Sequence, residues 1–208
     1  MVDFEGKVGP QALSDGSRSL VRLMSTGELA ASQVHARYWE AVRRGTIYSA
    51  CTGAAGVAPG TALSTTPPLT LYNPKTSGKH LAVLMALMGY ISGTLGAGTV
   101  VFAVNTDPAA AAPTGGTALT PINALLGGAA GVAQVFQGAT LPATPTIYRP
   151  FAVLGAFAGG AETPKVVAQD VAGSIIVTPG CALSLQAIAD AGTSPLVLLS
   201  LVWEEVPI

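Results

Sequence analysis

The sequence predicts a mainly β protein, a sandwich or barrel of short antiparallel strands preceded by an extended N-terminal arm and one α-helix. Three observations predict it. The apolar period changes from helical to strand-like at Gly45, nine or ten short β-rich runs separated by turn signals follow, and the charges divide at the same place. Of 21 charged residues in 208, eleven precede Gly45: Asp3, Glu5, Lys7, Asp15, Arg18, Arg22, Glu28, Arg37, Glu40, Arg43 and Arg44. The expected organisation is an arm and helix over 1–44 and a β body over 45–208.

The arm, 1–24, is punctuated by Gly6, Gly9-Pro10 and Asp15-Gly16. Ser25-Thr26-Gly27-Glu28 has capping-box spacing, in which the two side chains satisfy orphan amides at the start of a helix. The helix runs over 26–44 with an apolar stripe of Ala31, Val34, Tyr38 and Val42 and with Trp39 beside it. Glu40 is placed to pair with Arg43 or Arg44, both arginines suit the negative end of the helix dipole, and Gly45 closes it.

Strands are expected over 46–52 (TIYSACT) and 69–73 (LTLYN), the latter stopped by Pro74. The uncharged run 81–104 is long enough to cross a bilayer, yet its centre, SGTLGAGT, is a turn cluster between β-branched and aromatic stretches. A β-hairpin of 80–92 and 99–105 is therefore expected, and no membrane span. The stretch 108–148 is uncharged and rich in Gly, Ala, Pro and Thr, with a strand at 132–139. Further strands are expected over 148–157, 165–171, 174–178, 181–190 and 196–205. No period of 20 to 50 residues recurs, which argues against a solenoid or propeller.

Charge poverty excludes several functions. A net charge of −1 from ten bases and eleven acids leaves no basic footprint for nucleic acid. Fifty per cent hydrophobic residues exclude a disordered chain. The first residues, MVDFEGKVG, carry acids and no apolar run, so no secretory signal is expected and the protein is expected to be made in a cytoplasm. Cys51 and Cys181 are expected to be buried free thiols.

Catalytic groups are scarce. His35 and His80 lack a second His or Cys at metal-ligand spacing, and no cofactor or metal is expected. Glu204 and Glu205 are adjacent on a strand, so their side chains point to opposite faces; a solvated edge or an interface contact is expected for the pair. The segment 74–80 (PKTSGKH) lacks the first Gly and the Ser or Thr of a P-loop. The segment 93–98 (GTLGAG) leads into a strand, unlike a dinucleotide-binding turn. No Gly-x-Ser-x-Gly elbow occurs.

The positive signal is burial. The closing strand LVLLSLVW, 196–203, is apolar nearly throughout, and a continuous apolar run implies cover on both faces. In a small sandwich that second cover is expected from another chain or from the arm. Tyr38, Trp39, Leu198, Leu201 and Trp203 are the candidates for trimer or domain packing. At about one charge per 700 Å² the body would far exceed the roughly 400 Å² of continuous apolar surface that a soluble monomer tolerates.

A charged arm and helix ending in Tyr38-Trp39-Glu40-Ala41-Val42-Arg43-Arg44-Gly45, then Leu71-Tyr72-Asn73-Pro74 with Ser77-Gly78-Lys79, then Val177-Thr178-Pro179-Gly180 between two late strands, resembles the jelly-roll decoration (cement) proteins of tailed-bacteriophage heads. The likeness is one of organisation over nearly the whole chain. It implies an antiparallel jelly-roll-like sandwich, a homotrimer on the outer surface of the virion head, the major capsid protein as partner, and no enzymatic activity. It also implies that the arm reaches over capsid subunits through Phe4, Arg18, Leu20 and Arg22. Two alternatives stand beside it. One is a phage fibre, spike or tail component whose loops 53–68 and 108–132 bind a receptor; the other is a barrel-type small-molecule binder, which would need convergent His or Glu side chains.

Overall fold

Eleven strands and one short helix make up the computed structural model, which describes residues 36–106, 111–155, 166–189 and 192–208. The chain divides into two units, Met1–Trp39 and Glu40–Ile208. The predicted arm, the capping box and helix residues 26–35 lie outside the described residues. Helix α1 is Trp39–Arg43 only. The Trp39 amide donates to the Ala36 carbonyl three residues back, a turn closure that keeps residues 36–38 out of the α pattern. The predicted ion pair forms with the second arginine, Arg44 Nε to Glu40 Oε1 at 3.0 Å, and Gly45 ends the helix. Both side chains are mostly exposed, so the pair adds little stability.

The sandwich has two antiparallel sheets. The strands are β1 (Ile47–Cys51), β2 (Leu69–Tyr72), β3 (Lys79–Ser92), β4 (Gly98–Asn105), β5 (Thr117–Leu119), β6 (Ile122–Asn123), β7 (Gln134–Gln137), β8 (Thr146–Leu154), β9 (Val167–Val177), β10 (Ala182–Ala189) and β11 (Leu196–Pro207). The first sheet has the order β6-β1-β11-β3-β9 and the second β5-β7-β2-β10-β4-β8. Without the short insertion β5–β7, the two sheets read β1-β11-β3-β9 and β2-β10-β4-β8. Successive strands cross between layers except at β4 to β8, and this is the jelly-roll order.

That order corrects the predicted hairpin. β3 and β4 lie in different sheets: β3 pairs with β11 along its length and β4 with β10. The turn between them is held by the 192–195 segment, through Thr94 N to Thr193 O, and not by pairing of its own arms. The two segments predicted at 165–171 and 174–178 form one strand, β9, bent by a wide bulge. Val83 opposes Ile175 and Met85 opposes Asp170, so 171–174 bulge opposite Leu84, with Ala172 and Gly173 at positive φ. Pro179-Gly180 makes a type II turn, closed by Cys181 N to Thr178 O. Its second corner needs φ of +86°, which Gly180 adopts without a Cβ clash.

The core lies between the sheets. Trp203, Leu201 and Leu199 from β11 meet Phe102 from β4, Leu183 and Leu185 from β10, and Leu69 and Leu71 from β2, all fully buried. Trp203 stacks on Tyr48 with ring centroids 6.3 Å apart, and Phe102 tilts against Phe151 at 5.5 Å.

The outer sides of the two sheets differ. The centre of the second sheet is buried on both faces, with Thr70, Tyr72, Ala182, Ser184 and Gln186 covered from outside. Their cover is the chain's own. Loop 53–68 is pinned across this layer by Ala187 N to Pro59 O and Ser64 N to the Gln186 side chain, and Leu141 packs on Tyr72 and Ala182. The expectation that only another chain or the arm covers a second face is thereby corrected for this sheet. In β11 the burial alternates: Val197, Leu199, Leu201, Trp203 and Glu205 are buried, while Leu198, Ser200, Val202 and Glu204 are half-buried. The apolar run therefore has one fully buried face and one partly open face.

Candidate functional site

Three features outside the core have the composition of a working surface: the open face of the first sheet, a cleft under loop 53–68, and a buried carboxylate at the end of β11.

The open face is built by strand register. One row across the sheet is Ile122, Ser49, Val202, Met85 and Asp170; the next is Cys51, Ser200, Leu87 and Ala168; Leu198 lies beside Gly89. Of these rows only Asp170 is charged, and Glu204 stands on the same side nearer the β11 end. Glu204 accepts a hydrogen bond from Thr46 Oγ1 at 3.1 Å. Antiparallel sheets facing water normally carry polar residues on that side, so a face with this composition is unusual.

The cleft has a volume of about 610 Å³ and is lined by the 56–68 segment together with Gln137, Gly138, Gln186 and Leu196. No lining residue is charged or aromatic. The loop is held by Val57 N to Val197 O and Gly53 N to Gln137 Oε1, so its hydroxyls, Thr61, Ser64 and Thr66, sit on a fixed frame.

Glu205 overturns the expectation of a solvated edge. It does point opposite to Glu204, but inward, and its side chain is fully buried. Its Oε1 accepts from the Val132 and Ala133 amides at 2.8 and 3.0 Å, and its Oε2 from Lys79 Nζ at 2.9 Å. Gly131 lies against the carboxylate so closely that a Cβ there would overlap Oε1. A carboxylate whose oxygens are taken up by two amides and an ammonium is a clamp that seats the 124–133 loop on β11. Asn73 makes a similar tie: its Nδ2 donates to the Lys79 and Val177 carbonyls, both at 2.8 Å, linking the start of β3 to the end of β9.

The remaining candidates scatter. Phe4, Arg18, Leu20, Arg22 and His35 lie outside the described residues. Trp39, 49 % exposed, begins α1, and the Arg37 guanidinium stacks 5.1 Å from the Tyr38 ring centre. Leu198 is on the open face, whereas Leu201 and Trp203 are core residues with no exposed surface. Cys181 is buried, but Cys51 is exposed on the open face, which corrects the expectation for that thiol. Burial of its surroundings raises the Cys51 pKa, partly offset by its hydrogen bond with Thr52. Among the described residues no three His, Cys, Asp or Glu side chains converge as a metal site would require. No described helix is long and apolar enough to cross a membrane, and the run 81–104 forms β3 and β4.

Sequence reasoning missed Glu205, Asn73 and the Gln137–Gln186 cleft. Glu205 was within reach: it continues the inward phase of Leu199, Leu201 and Trp203 at every second residue. Asn73 and the cleft depend on contacts between segments more than a hundred residues apart, for which a local pattern has no signal.

By architecture the Glu40–Ile208 unit is an antiparallel jelly-roll sandwich. No family of known proteins, no curated protein and no solved structure matches the chain.

Proposed function

We propose that the protein is a non-enzymatic structural component of a virion: a jelly-roll decoration protein that caps a tailed-phage head as a homotrimer. In this reading the segment before the sandwich contacts the major capsid protein, and bound trimers stabilise the closed shell by mass action. The observation that supports it best is a jelly-roll sandwich with one sheet covered by its own loops and the other left open with an almost uncharged face. Such a face suits a subunit whose working state is an assembly.

The test has two stages. Sedimentation or light scattering of the purified protein is expected to give three times the 20.8 kDa chain mass; a stable monomer refutes the proposal. A variant lacking residues 1–24 is then expected to trimerise but to lose affinity for capsid shells. Unchanged coating by that variant removes the arm from the mechanism.

One observation favours a second reading, a fibre or tail component that binds a receptor. The pinned cleft under loop 53–68 has the size of a small-ligand site. Its lack of any aromatic ring or charge weighs against strong binding. Imaging the native particle separates the two, since decoration and tail positions differ in symmetry and location.

A further inference from the structure

We infer that the open face of the β6-β1-β11-β3-β9 sheet is the surface on which a second copy of this chain docks. This rests on the assembly reading above and names the surface and its occupant. Three independent observations lead there.

The first is which routes of association the fold closes. Sheet edges are the usual sites of unwanted pairing, and this molecule blunts all four. β6 and β5, on one side, are two and three residues long. β8 carries Pro150, which offers no amide, and its pairing with β4 slips in register on either side of Arg149-Pro150. β9 is broken by the 171–174 bulge. Edge-to-edge strand addition is thus disfavoured, and the centre of the second sheet's outer side is already covered by loop 53–68. The open face remains.

The second is area. β11, β3 and β9, with 12, 14 and 11 residues, and the shorter β1 form a platform. At about 3.3 Å per residue and about 4.8 Å between strands it projects roughly 650 Å². Side-chain relief raises the accessible area towards the roughly 800 Å² that each partner contributes to a stable interface. Scattered surface apolar residues do not reach that size.

The third is what the occupant must look like. The face offers Val202, Leu198, Met85 and Leu87 with hydroxyls from Ser49 and Ser200, and the one basic side chain these registers place on it is His80, at its end opposite Val206. Nucleic acid is excluded by charge, and a strongly charged partner would bury its charges unpaired. Another copy supplies a match. Closing a ring requires each copy to present a second, different patch. Ile147, Tyr148 and Val153 on the β8 rim, 45, 53 and 81 % exposed, supply it. The geometry points to the face of one copy packed on the β8 rim of the next.

The experiment places a charge on each surface of the full chain and reads solution mass, with circular dichroism and the melting temperature as fold controls. Val202→Lys and, independently, Ser49→Lys are expected to lower the mass to that of one chain and to weaken self-association at least 100-fold. Val153→Lys is expected to do the same from the other side. Thr117→Lys, an exposed site on β5 at the far edge, is expected to keep the wild-type mass. If Val202→Lys does not fold, Ser49→Lys decides. A wild-type oligomer left intact by both face variants overturns the inference and leaves the assembly reading standing; a wild-type monomer overturns both. If Val153→Lys keeps the oligomer, the β8 rim is not the second patch.

Discussion

Replacing Glu205 by Ala tests whether the buried carboxylate holds the 124–133 loop in place. The change strands the Val132 and Ala133 amides and the Lys79 ammonium at once. Breaking a buried pair costs about 3–5 kcal/mol, and the low end applies here because Lys79 is 31 % exposed and can turn to water. At about 2–4 °C per kcal/mol for a domain of this size, a cost of about 3 kcal/mol lowers the melting temperature by roughly 6–12 °C. The stronger test is a double-mutant cycle with Gly131→Ala. In the parent protein the new Cβ overlaps Glu205 Oε1 and comes within 3.0 Å of the Tyr48 ring, displacing the carboxylate, for a cost of about 2 kcal/mol. With residue 205 shortened to Ala most of that obstruction is gone, and Gly131→Ala is expected to cost less than about 0.5 kcal/mol. The coupling is then about 1.5 kcal/mol, measured by urea unfolding of the four proteins under identical conditions. Costs that add to within about 0.3 kcal/mol would falsify the clamp.

Trp203→Phe is expected to cost only about 1 kcal/mol despite complete burial, because the indole nitrogen has no hydrogen-bond partner to lose, whereas Trp203→Ala costs about 3–5 kcal/mol; equal losses in thermal melts would contradict this. Asn73→Ala removes a donor from the Val177 carbonyl and one of two from the Lys79 carbonyl, which keeps Ser77 Oγ at 3.2 Å, and is expected to cost about 1–2 kcal/mol, with amide exchange rising first at the end of β9. The Cys51 thiol, with its pKa raised by burial, is expected to react with a disulfide reagent slowly at neutral pH, reaching its plateau at a higher pH than a free thiol; the Val153→Lys variant, changed on the other sheet, is the form to assay. Folding disfavours the thiolate, so the thiol's contribution to stability is present below the unfolded-state pKa and is lost as pH rises through the folded value. Cys181, being buried, is expected to react only on unfolding.

Strand content was legible because each run carries its own evidence: β-branched residues between turn formers mark β1, β2, β4, β10 and β11 nearly to their ends. β5 and β6 escaped, since three and two residues in a Gly- and Thr-rich stretch make no period. Partnership is a different kind of information. Residues 81–104 look like a hairpin locally, and only the competing claims of β11 on β3 and of β10 on β4 send the two arms to different layers. The uncharged body raised the expectation of cover from another chain or from the arm, and local pattern does not say that the chain's own loop 53–68 covers one sheet while the other stays partly open. Glu205 was misplaced because its charge was weighed more heavily than its phase on the strand.

The strand that completes the first sheet comes after all its sheet neighbours in chain order. β11 lies between β1 and β3 and supplies Leu199, Leu201 and Trp203 to the core. Until it arrives, β1 and β3 have no common neighbour and the central row of the open face does not exist. Pairings this distant in sequence are slow to form, and a nascent chain cannot make them before β11 has emerged. A polypeptide cut short before β11 lacks the sheet's central strand and so the face proposed above for docking; on that proposal such fragments are kept out of an oligomer by geometry, without a dedicated proofreading partner.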